Sequence, residues 1–324
     1  MSPLVSSRAH AAARNITAAG LARGARNRTG DIVLRVATAS ACLVLLGMLV
    51  VILFDVVRGG TQVLSWEFLT APPKNGMTAG GIMPAIFGTF VLTLLMTVAA
   101  VPAGVATAIY LNEYAPQTSR LARLVRVCIA NLAGVPSIVF GLFGLGFFIS
   151  TVGKHVDTAL FGGVLTYGRA SLVWASLTLA VLTMPVVVVA TEEALRAVPR
   201  ELRDASLALG ATRFQTLLRI ILPEALGGIL TGTILAVSRG AGEVAPIMFT
   251  GAAYYLAELP THLNDPFMSL GYHIYVLATQ SPDVDKTKPL LYGTVLVLLA
   301  LTFALNTVAV LIRARTRRRL RSPL

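Results

Sequence analysis

The stretch VPRELRDASLALGATRFQTLLRIILPEA, residues 198–225, decides the fold because it predicts two consecutive short helices between two apolar runs. Most connections between helices in a bundle are only a few residues long, so a structured connector is unusual. Pro199 suits the first turn of a helix, and Gly210 ends the pattern that follows. Between them, leucine and small residues recur at the helical spacing i, i+3, i+4 and i+7, at Leu202, Ala205, Ser206 and Leu209.

A second helix is predicted directly after this glycine. Thr212 and Gln215 match the capping box that begins many helices. Pro223 is expected to end or bend the helix. Its apolar stripe has the same spacing as the first, at Phe214, Leu217, Leu218 and Ile221. The two helices fit either a hairpin that lies on lipid headgroups or a docking surface for a cytoplasmic partner.

The chain around this stretch has the composition of a membrane protein. Of its 324 residues 55% are hydrophobic and only 13% are charged, whereas globular domains carry about 25% charged residues. Runs of about 20 apolar residues cross a bilayer as helices. An all-α membrane protein with six transmembrane helices is predicted, at Val36–Val57, Ile86–Leu111, Val127–Ile149, Ser171–Ala190, Leu226–Met248 and Leu290–Ile312.

The basic residues define the orientation of these spans. The chain has 27 lysines and arginines and a net charge of +12, and 20 of the 27 lie before the first span, after the second, after the fourth and after the sixth. Because cytoplasmic loops carry the excess of lysine and arginine, both termini are predicted to be cytoplasmic. The charge excess is thus a topology signal, and a nucleic-acid partner is not expected.

Four segments follow from this topology. Residues 1–30 are predicted to be a disordered cytoplasmic arm, and 31–80 the first transmembrane helix with an external loop. Residues 81–312 form the core transmembrane domain, whose cytoplasmic loop covers 191–223. Residues 313–324 are a basic cytoplasmic tail.

No chemistry of its own is predicted for the chain. Two cysteines and four isolated histidines give no metal pattern, and neither a phosphate-binding loop nor a grouping of nucleophile, base and acid is present. We therefore predict no catalytic residue, no metal and no cofactor in this chain. The glycines of GLFGLG, residues 141–146, and the GxxxG pair Gly228 and Gly232 are interpreted as helix-packing positions.

One charged pair lies within an apolar run. In AVSRGAGEVAP, residues 236–246, Arg239 and Glu243 are four apart and would share one helix face. An arginine near the centre of a membrane helix costs roughly 2.5–3.5 kcal/mol, so it is not expected to face lipid. Either the two charges neutralise each other and lock the helix packing, or they line a polar path for an anion, with Gly240 and Gly242 leaving room beside them.

Residues 204–223, DASLALGATRFQTLLRIILP, resemble the EAA loop of permeases of ABC importers. That pattern is E-A-A, three residues, G, nine residues and I-x-L-P. This chain keeps every spacing, with Asp in place of Glu and Ser in place of the second Ala, at Asp204, Ala205, Ser206, Gly210, Ile220, Leu222 and Pro223. The resemblance implies that these residues dock into a cleft on an ATP-hydrolysing subunit.

Residues 238–255, SRGAGEVAPIMFTGAAYY, are similar to phosphate-importer permeases of the PstA type, whose pattern is R-x-x-G-E-x-A-P. The matching positions are Arg239, Gly242, Glu243, Ala245 and Pro246. The resemblance implies a type I ABC importer (MetI-like) permease fold in the cytoplasmic membrane, with Arg239 and Glu243 on the phosphate pathway. It also implies the partners: a second, PstC-like permease, a cytoplasmic ATPase dimer that holds ATP and Mg, an extracytoplasmic phosphate-binding protein, inorganic phosphate and membrane lipid.

Other functions remain open from the residues alone. An arginine also recognises sulfate or molybdate, so a permease for another oxyanion is the first alternative. A proton-coupled secondary transporter would use Glu243 as the proton carrier, and a membrane sensor would use the loop to bind a signalling partner. The external segment Gly251–Lys288 either contacts the binding protein or packs on the bundle.

Overall fold

The structure, a computed structural model, describes residues 3–116, 118–281 and 283–321. The chain divides after Arg58 into two units, the first of which consists of most of one long helix, α1 (Pro3–Gly60). The second unit contains a short hairpin of strands β1 (Pro73–Lys74) and β2 (Ala79–Gly80). The helices of the second unit are α2 (Trp66–Thr70), α3 (Met83–Ile109), α4 (Arg120–Leu132), α5 (Ser137–Phe143), α6 (Lys154–Leu160), α7 (Leu172–Arg196), α8 (Arg200–Ala208), α9 (Arg213–Thr216), α10 (Leu222–Ala241), α11 (Ile247–Thr250), α12 (Leu270–Thr279) and α13 (Val284–Arg321).

Three π-helical stretches join or extend these helices. Tyr110–Tyr114 continues α3, Gly144–Gly153 connects α5 to α6, and Leu217–Ile221 connects α9 to α10. The longer i→i+5 bonds of a π-helix widen the helix locally, and such turns are frequent at functional sites.

The prediction of six membrane-spanning helices is confirmed. Within the described residues, six helical segments are long and apolar enough to cross a bilayer. They are Gly30–Gly60, Met83–Tyr114, Ser137–Leu160, Leu172–Arg196, Arg213–Ala241 and Val284–Thr316.

Helix α1 differs from the predicted arm, because it includes residues 3–30, for which the sequence predicts disorder. Alanine and arginine are among the strongest helix formers. No proline follows Pro3 before Pro72, so no strong stop signal lies on the N-terminal side of the first span. The basic tail predicted at 313–324 is helical as far as Arg321, and residues 322–324 lie outside the described residues.

The third span begins later than predicted. Residues 127–132 belong to α4, an amphipathic helix that starts after Ser119, whose hydroxyl accepts a hydrogen bond from the Ala122 N–H. The helix stops before Pro136, because the residue that precedes a proline avoids helical geometry. The apolar run that predicts a span from Val127 therefore joins the end of the amphipathic helix α4 to the start of the span at Ser137.

Helix α7 is the centre of the bundle, and small residues bring α10 against it. A Cβ atom added to Gly228 would lie 2.5 Å from Ala194 Cβ, and one added to Gly232 would lie 2.2 Å from Ala190 Cβ. The GxxxG pair is therefore a packing seam. Gly144 packs in the same way on Thr178, because an added Cβ would lie 2.3 Å from the Thr178 hydroxyl oxygen, so the geometry bears out the packing interpretation of GLFGLG at this position.

Six buried hydroxyl groups are satisfied within their own helices. Each donates a hydrogen bond to the carbonyl oxygen four residues earlier, at distances of 2.7–2.9 Å. These six hydroxyls need no partner outside their own helix, whereas the buried hydroxyl of Thr191 in α7 has no hydrogen-bond partner among the described residues. The residues are Thr89, Thr93, Ser176, Thr178, Thr183 and Thr250.

The segment 251–288, which the sequence predicts to be external, packs against the helices of the bundle. Phe267 and Leu270 are fully buried, and the Leu270 N–H donates to Thr89 Oγ1 at 2.8 Å. The carbonyls of Leu263 and Asp265 accept hydrogen bonds, each of 2.9 Å, from the first amides of α7. These amides have no partner inside the helix, so the external segment caps the central span.

His273 is not the isolated loop histidine that the sequence predicts. It lies in α12, 4% exposed, and its Nδ1 has no hydrogen-bond partner among the described residues. Burial disfavours the charged imidazolium and lowers the pKa of His273 to about 4.

Acidification is therefore expected to destabilise the folded protein through His273. The folded pKa lies below the usual value of 6.5, so this contribution is present above pH 6.5 and is lost as the pH falls towards 4. Between pH 7 and pH 5 the loss is on the order of 2 kcal/mol. Thermal unfolding in detergent at both pH values tests this. His273→Leu should reduce the difference, whereas the same substitution at the exposed His262 should leave it unchanged; an equal pH dependence in all three proteins would contradict the assignment.

Candidate functional site

The intramembrane charged pair lies at the end of α10. Arg239 is in the last turn of the helix, and Arg239 Nε lies 3.3 Å from Glu243 Oε1. The prediction that both share one helix face is wrong, because α10 ends at Ala241 and Glu243 follows the C-cap residue Gly242. The turn after the helix, in which the Glu243 N–H donates to the Gly240 carbonyl at 3.3 Å, brings the carboxylate back to the arginine. The pair therefore joins Arg239, in the last turn of α10, to Glu243, in the turn that follows the helix.

Space is distributed unequally around this pair. A Cβ atom on Gly240 would lie 2.2 Å from Met96 Sδ, so this glycine serves the close approach of α10 to α3. A Cβ atom on Gly242 would meet only the Arg239 carbonyl oxygen, at 3.9 Å. Room beside the pair is thus present at Gly242 and absent at Gly240.

The arginine presents its charge more openly than the glutamate. Its side chain is 48% exposed and that of Glu243 17%. Within the part of the chain that the structure describes, Nε is the only nitrogen of the Arg239 guanidinium with a hydrogen-bond partner. Its terminal nitrogens, Nη1 and Nη2, therefore remain available to a ligand. A guanidinium with free donors can bind two oxygens of an anion at once. The arrangement can therefore hold an oxyanion while Glu243 fixes the arginine.

The segment that follows Glu243 is held by two neighbouring helices. The backbone of Ala245 and Pro246 packs on Gly141 of α5, where an added Cβ would lie 3.1 Å and 3.0 Å away. A Cβ atom added to Gly271, at the start of α12, would lie 3.8 Å from the Glu243 carbonyl oxygen. The pair thus lies where α10, α5 and α12 meet.

The cytoplasmic loop contains the predicted glycine turn. Gly210 has φ +85°, and an added Cβ would meet no atom within 4 Å. Its backbone conformation, and not the available space, requires glycine. The capping box between Thr212 and Gln215 is confirmed, and Ser206 Oγ lies 2.9 Å from Thr216 Oγ1 across the turn.

The second loop helix differs from the prediction in two respects. Pro223 does not end it, because the helix continues from the π-helical turn Leu217–Ile221 into α10 across this proline. Helix α9, the π-helical turn and α10 form one continuous span from Arg213. The apolar stripe is also divided: Leu217 and Ile221 are buried against the spans, whereas Phe214 and Leu218 are exposed.

The residues of the EAA-type pattern lie together around the N-terminal end of α10. Helix α8 has no buried residue, and Leu209 at its end is 90% exposed. Asp204 and Ala205 are exposed, and the remaining positions of the pattern that carry side chains, Ser206, Ile220, Leu222 and Pro223, are half-buried. With Phe214 and Leu218, the loop presents an apolar surface of the kind that marks a protein interface.

A polar cluster of two arginines and two glutamates lies beside this loop, and the sequence does not predict it. Arg203 Nη1 donates to both carboxylate oxygens of Glu113, at 2.6 and 2.7 Å, and Nη2 donates to the Leu195 carbonyl at 2.5 Å. Arg126 pairs with Glu192 at 3.1 Å and also donates to the Leu111 carbonyl. From the sequence alone, these arginines indicate only the orientation of the spans. Glu113 lies 90 positions before Arg203 in the chain. A short-range pattern cannot reveal such a pair.

Two cavities flank the Arg203–Glu113 pair. The larger measures about 540 Å³ and the smaller about 180 Å³. Arg203 and Asp204 line both of them.

Comparison with known proteins shows the family. The family model "Binding-protein-dependent transport system inner membrane component" matches residues 100–322. The phosphate transport system permease protein PstA 1 of Mycobacterium tuberculosis is 37% identical over 76% of this chain and 74% of its own length. PstA of Haemophilus influenzae is 34% identical over 72% and 76%. The probable ABC transporter permease YqgI of Bacillus subtilis is 31% identical over 75% and 83%.

Solved structures show the same fold. A bacterial alginate ABC transporter matches with a TM-score of 0.61 at 16% identity, over 92% of this chain and 99% of that chain. The inward-facing MetNI methionine ABC transporter matches with a TM-score of 0.55 at 19% identity, over 72% and 94%. The fold is thus that of type I ABC importer permeases. The chain belongs to the inner-membrane components of binding-protein-dependent transport systems, and it is a multi-pass membrane subunit of an ABC transporter complex.

Proposed function

We propose that this chain is the permease subunit of an ATP-driven phosphate importer and forms half of the translocation pathway. The observation that carries the proposal is the Arg239–Glu243 pair, in which a half-exposed guanidinium with free donors lies beside open space at Gly242. Phosphate offers several oxygens to such a group. Relatives that are named phosphate transport permeases share most of the chain and support this substrate.

The remaining components are those expected of such an importer. A second, PstC-like permease completes the pathway, and a phosphate-binding protein delivers the anion to the external side. An ATPase dimer holds ATP and Mg and docks on the loop from Asp204 to Pro223. The apolar side chains that α8 and α9 leave exposed suit this contact. ATP binding then draws the loops of the two permeases together and switches access across the membrane.

The orientation of the chain follows from the same proposal. Both termini lie in the cytoplasm, with the arginine-rich loops that hold α4 and α8 on that side. The exposed part of the external segment, which includes Tyr254, Tyr255 and Leu263, then faces the binding protein. Aromatic side chains are enriched at such contacts.

Uptake by proteoliposomes tests the function. The vesicles hold this chain with its permease partner, ATPase and binding protein, and radiolabelled phosphate is added outside. We expect uptake that requires both ATP and the binding protein and that excess sulfate does not reduce. Sulfate uptake in place of phosphate uptake would assign another oxyanion. Uptake of neither ion by an assembled complex would contradict the importer itself.

A further inference from the structure

Arg203 joins three elements that the sequence pattern treats separately. It belongs to α8 of the cytoplasmic loop, it binds Glu113 in the π-helical turn after α3, and it binds the Leu195 carbonyl in the last turn of α7. We propose that Arg203, through Glu113, is the positioning residue that transmits movement of the loop to α3 and α7. This inference rests on the proposed function, since it names the link between the ATPase-docking loop and the spans.

The bonds to Arg203 are of the strong kind. Both carboxylate oxygens of Glu113 accept from the same guanidinium, and the two side chains are only 19% and 14% exposed. Hydrogen bonds between ionised partners are shorter and stronger than neutral ones, and low exposure reduces screening by solvent. Asn112 Nδ2 adds a hydrogen bond of 2.7 Å to Glu113 Oε1, which fixes the carboxylate. The Arg203–Glu113 pair is thus a directional connection and not a loose surface contact.

The third contact connects Arg203 to the end of α7. The carbonyls of the last helical turn have no partner within the helix, and a cation near this end is favoured by the helix dipole. Arg203 donates to the Leu195 carbonyl, one residue before α7 ends at Arg196, and this carbonyl also accepts a longer hydrogen bond, of 3.4 Å, from the Val198 N–H. A displacement of α8 therefore acts on α7 through its terminal carbonyl and on α3 through Glu113.

Few other side chains connect α8 with the spans. Ser206, also in α8, bonds Thr216 at the start of the fifth span. Among the described residues, Arg203 supplies every hydrogen bond from a side chain of α8 to the second and fourth spans. Arg126 holds the same π-helical turn through the Leu111 carbonyl and pairs with Glu192 of α7, but it belongs to α4 and not to the loop. Arg203 is therefore the side-chain link that joins the loop to this junction.

Coupling measurements in the assembled transporter test the proposal. The variants are Arg203→Gln, Glu113→Gln and both together, and the readouts are the rate of ATP hydrolysis and the phosphate imported per ATP. Arg196→Gln is the matched control, because this arginine makes only a half-exposed contact of 3.4 Å with Glu192. We expect each single variant to lower the phosphate imported per ATP by about tenfold, within the range of coupling between sites, while ATP hydrolysis continues.

The double variant separates a shared link from two independent effects. If Arg203 and Glu113 act through one link, the double variant should be no worse than either single variant. Wild-type coupling in the single variants, or additive losses in the double variant, would overturn the proposal. Loss of the ATPase from the purified complex would also overturn it, since Arg203 would then serve docking or folding.

A second measurement does not depend on the transported anion. In a chain whose native cysteines are replaced by serine, spin labels at Glu201→Cys on α8 and Tyr110→Cys at the end of the second span report the distance between loop and span. We expect this distance to stay constant on ATP binding when Arg203 is present and to change when it is glutamine. A change in this distance on ATP binding both with Arg203 and with the Arg203→Gln substitution would overturn the proposal. Failure of phosphate uptake in wild type, with the label result as expected, would count against the proposed substrate alone.

Discussion

Replacement of Arg239 with alanine is expected to abolish phosphate uptake while the complex still assembles. The substitution removes the guanidinium that binds the anion and leaves the Glu243 carboxylate, 17% exposed, without its partner. A hydrogen bond to a charged group contributes roughly 1.5–3 kcal/mol. Loss of one such bond to the anion corresponds to an uptake rate at least about tenfold below wild type.

The controls for this experiment come from the same chain. Arg169 has a side chain with the same 48% exposure and pairs with Asp265 at 3.6 Å on the external side, so Arg169→Ala should retain most uptake. Arg239→Lys keeps the charge but not the two-oxygen geometry and should transport at an intermediate rate. The double replacement of Arg239 and Glu243 by apolar residues should recover thermal stability without recovering uptake. Normal uptake in that double variant would make the pair purely structural.

Replacement of Gly210 with valine is expected to uncouple ATP hydrolysis from transport. The backbone φ of +85° is strained for a β-branched residue, and the left-handed conformation costs roughly 1–2 kcal/mol for a non-glycine residue. The turn between α8 and α9 should then change, and the docking residues Asp204 and Phe214 would no longer keep their relative positions. The spans should stay folded, because an added side chain meets no neighbouring atom.

Two substitutions make this prediction specific. Gly210→Asn should retain coupling, since asparagine tolerates the left-handed region. Gly76 lies in the external hairpin with φ +62° and equally open surroundings, so Gly76→Val imposes a similar strain away from the loop. The ratio of ATP hydrolysed to phosphate imported should rise only in Gly210→Val. A rise of the same size in Gly76→Val would indicate general destabilisation.

The sequence predicts the spans well because membrane insertion depends on summed apolarity over about 20 residues, which a single window captures. It predicts their ends less well. The run from Val127 to Ile149 hides the break before Pro136, and the run through Met248 hides the end of α10 at Ala241. The four-residue spacing of Arg239 and Glu243 predicts one helix face, although Glu243 reaches Arg239 from the turn after α10.

The candidate site was predicted where it depends on local pattern and missed where it depends on tertiary contact. Gly210 and the Thr212 cap are fixed by the geometry of a turn and a helix start, which neighbouring residues determine. The bonds of Arg203 to Glu113 and to the Leu195 carbonyl exist only after α3, α7 and α8 have packed. No spacing in the chain encodes them.

The hydroxyl groups that bond within their own helices also bear on how the chain is made. A span that leaves the insertion machinery meets lipid before its later neighbours have been synthesised. Thr178 and Thr183 of α7 carry their own hydrogen-bond partners, four residues back in the same helix, so the span needs no second helix to satisfy them. These two hydroxyls therefore impose no order on the insertion of α7 relative to the helices that are made after it.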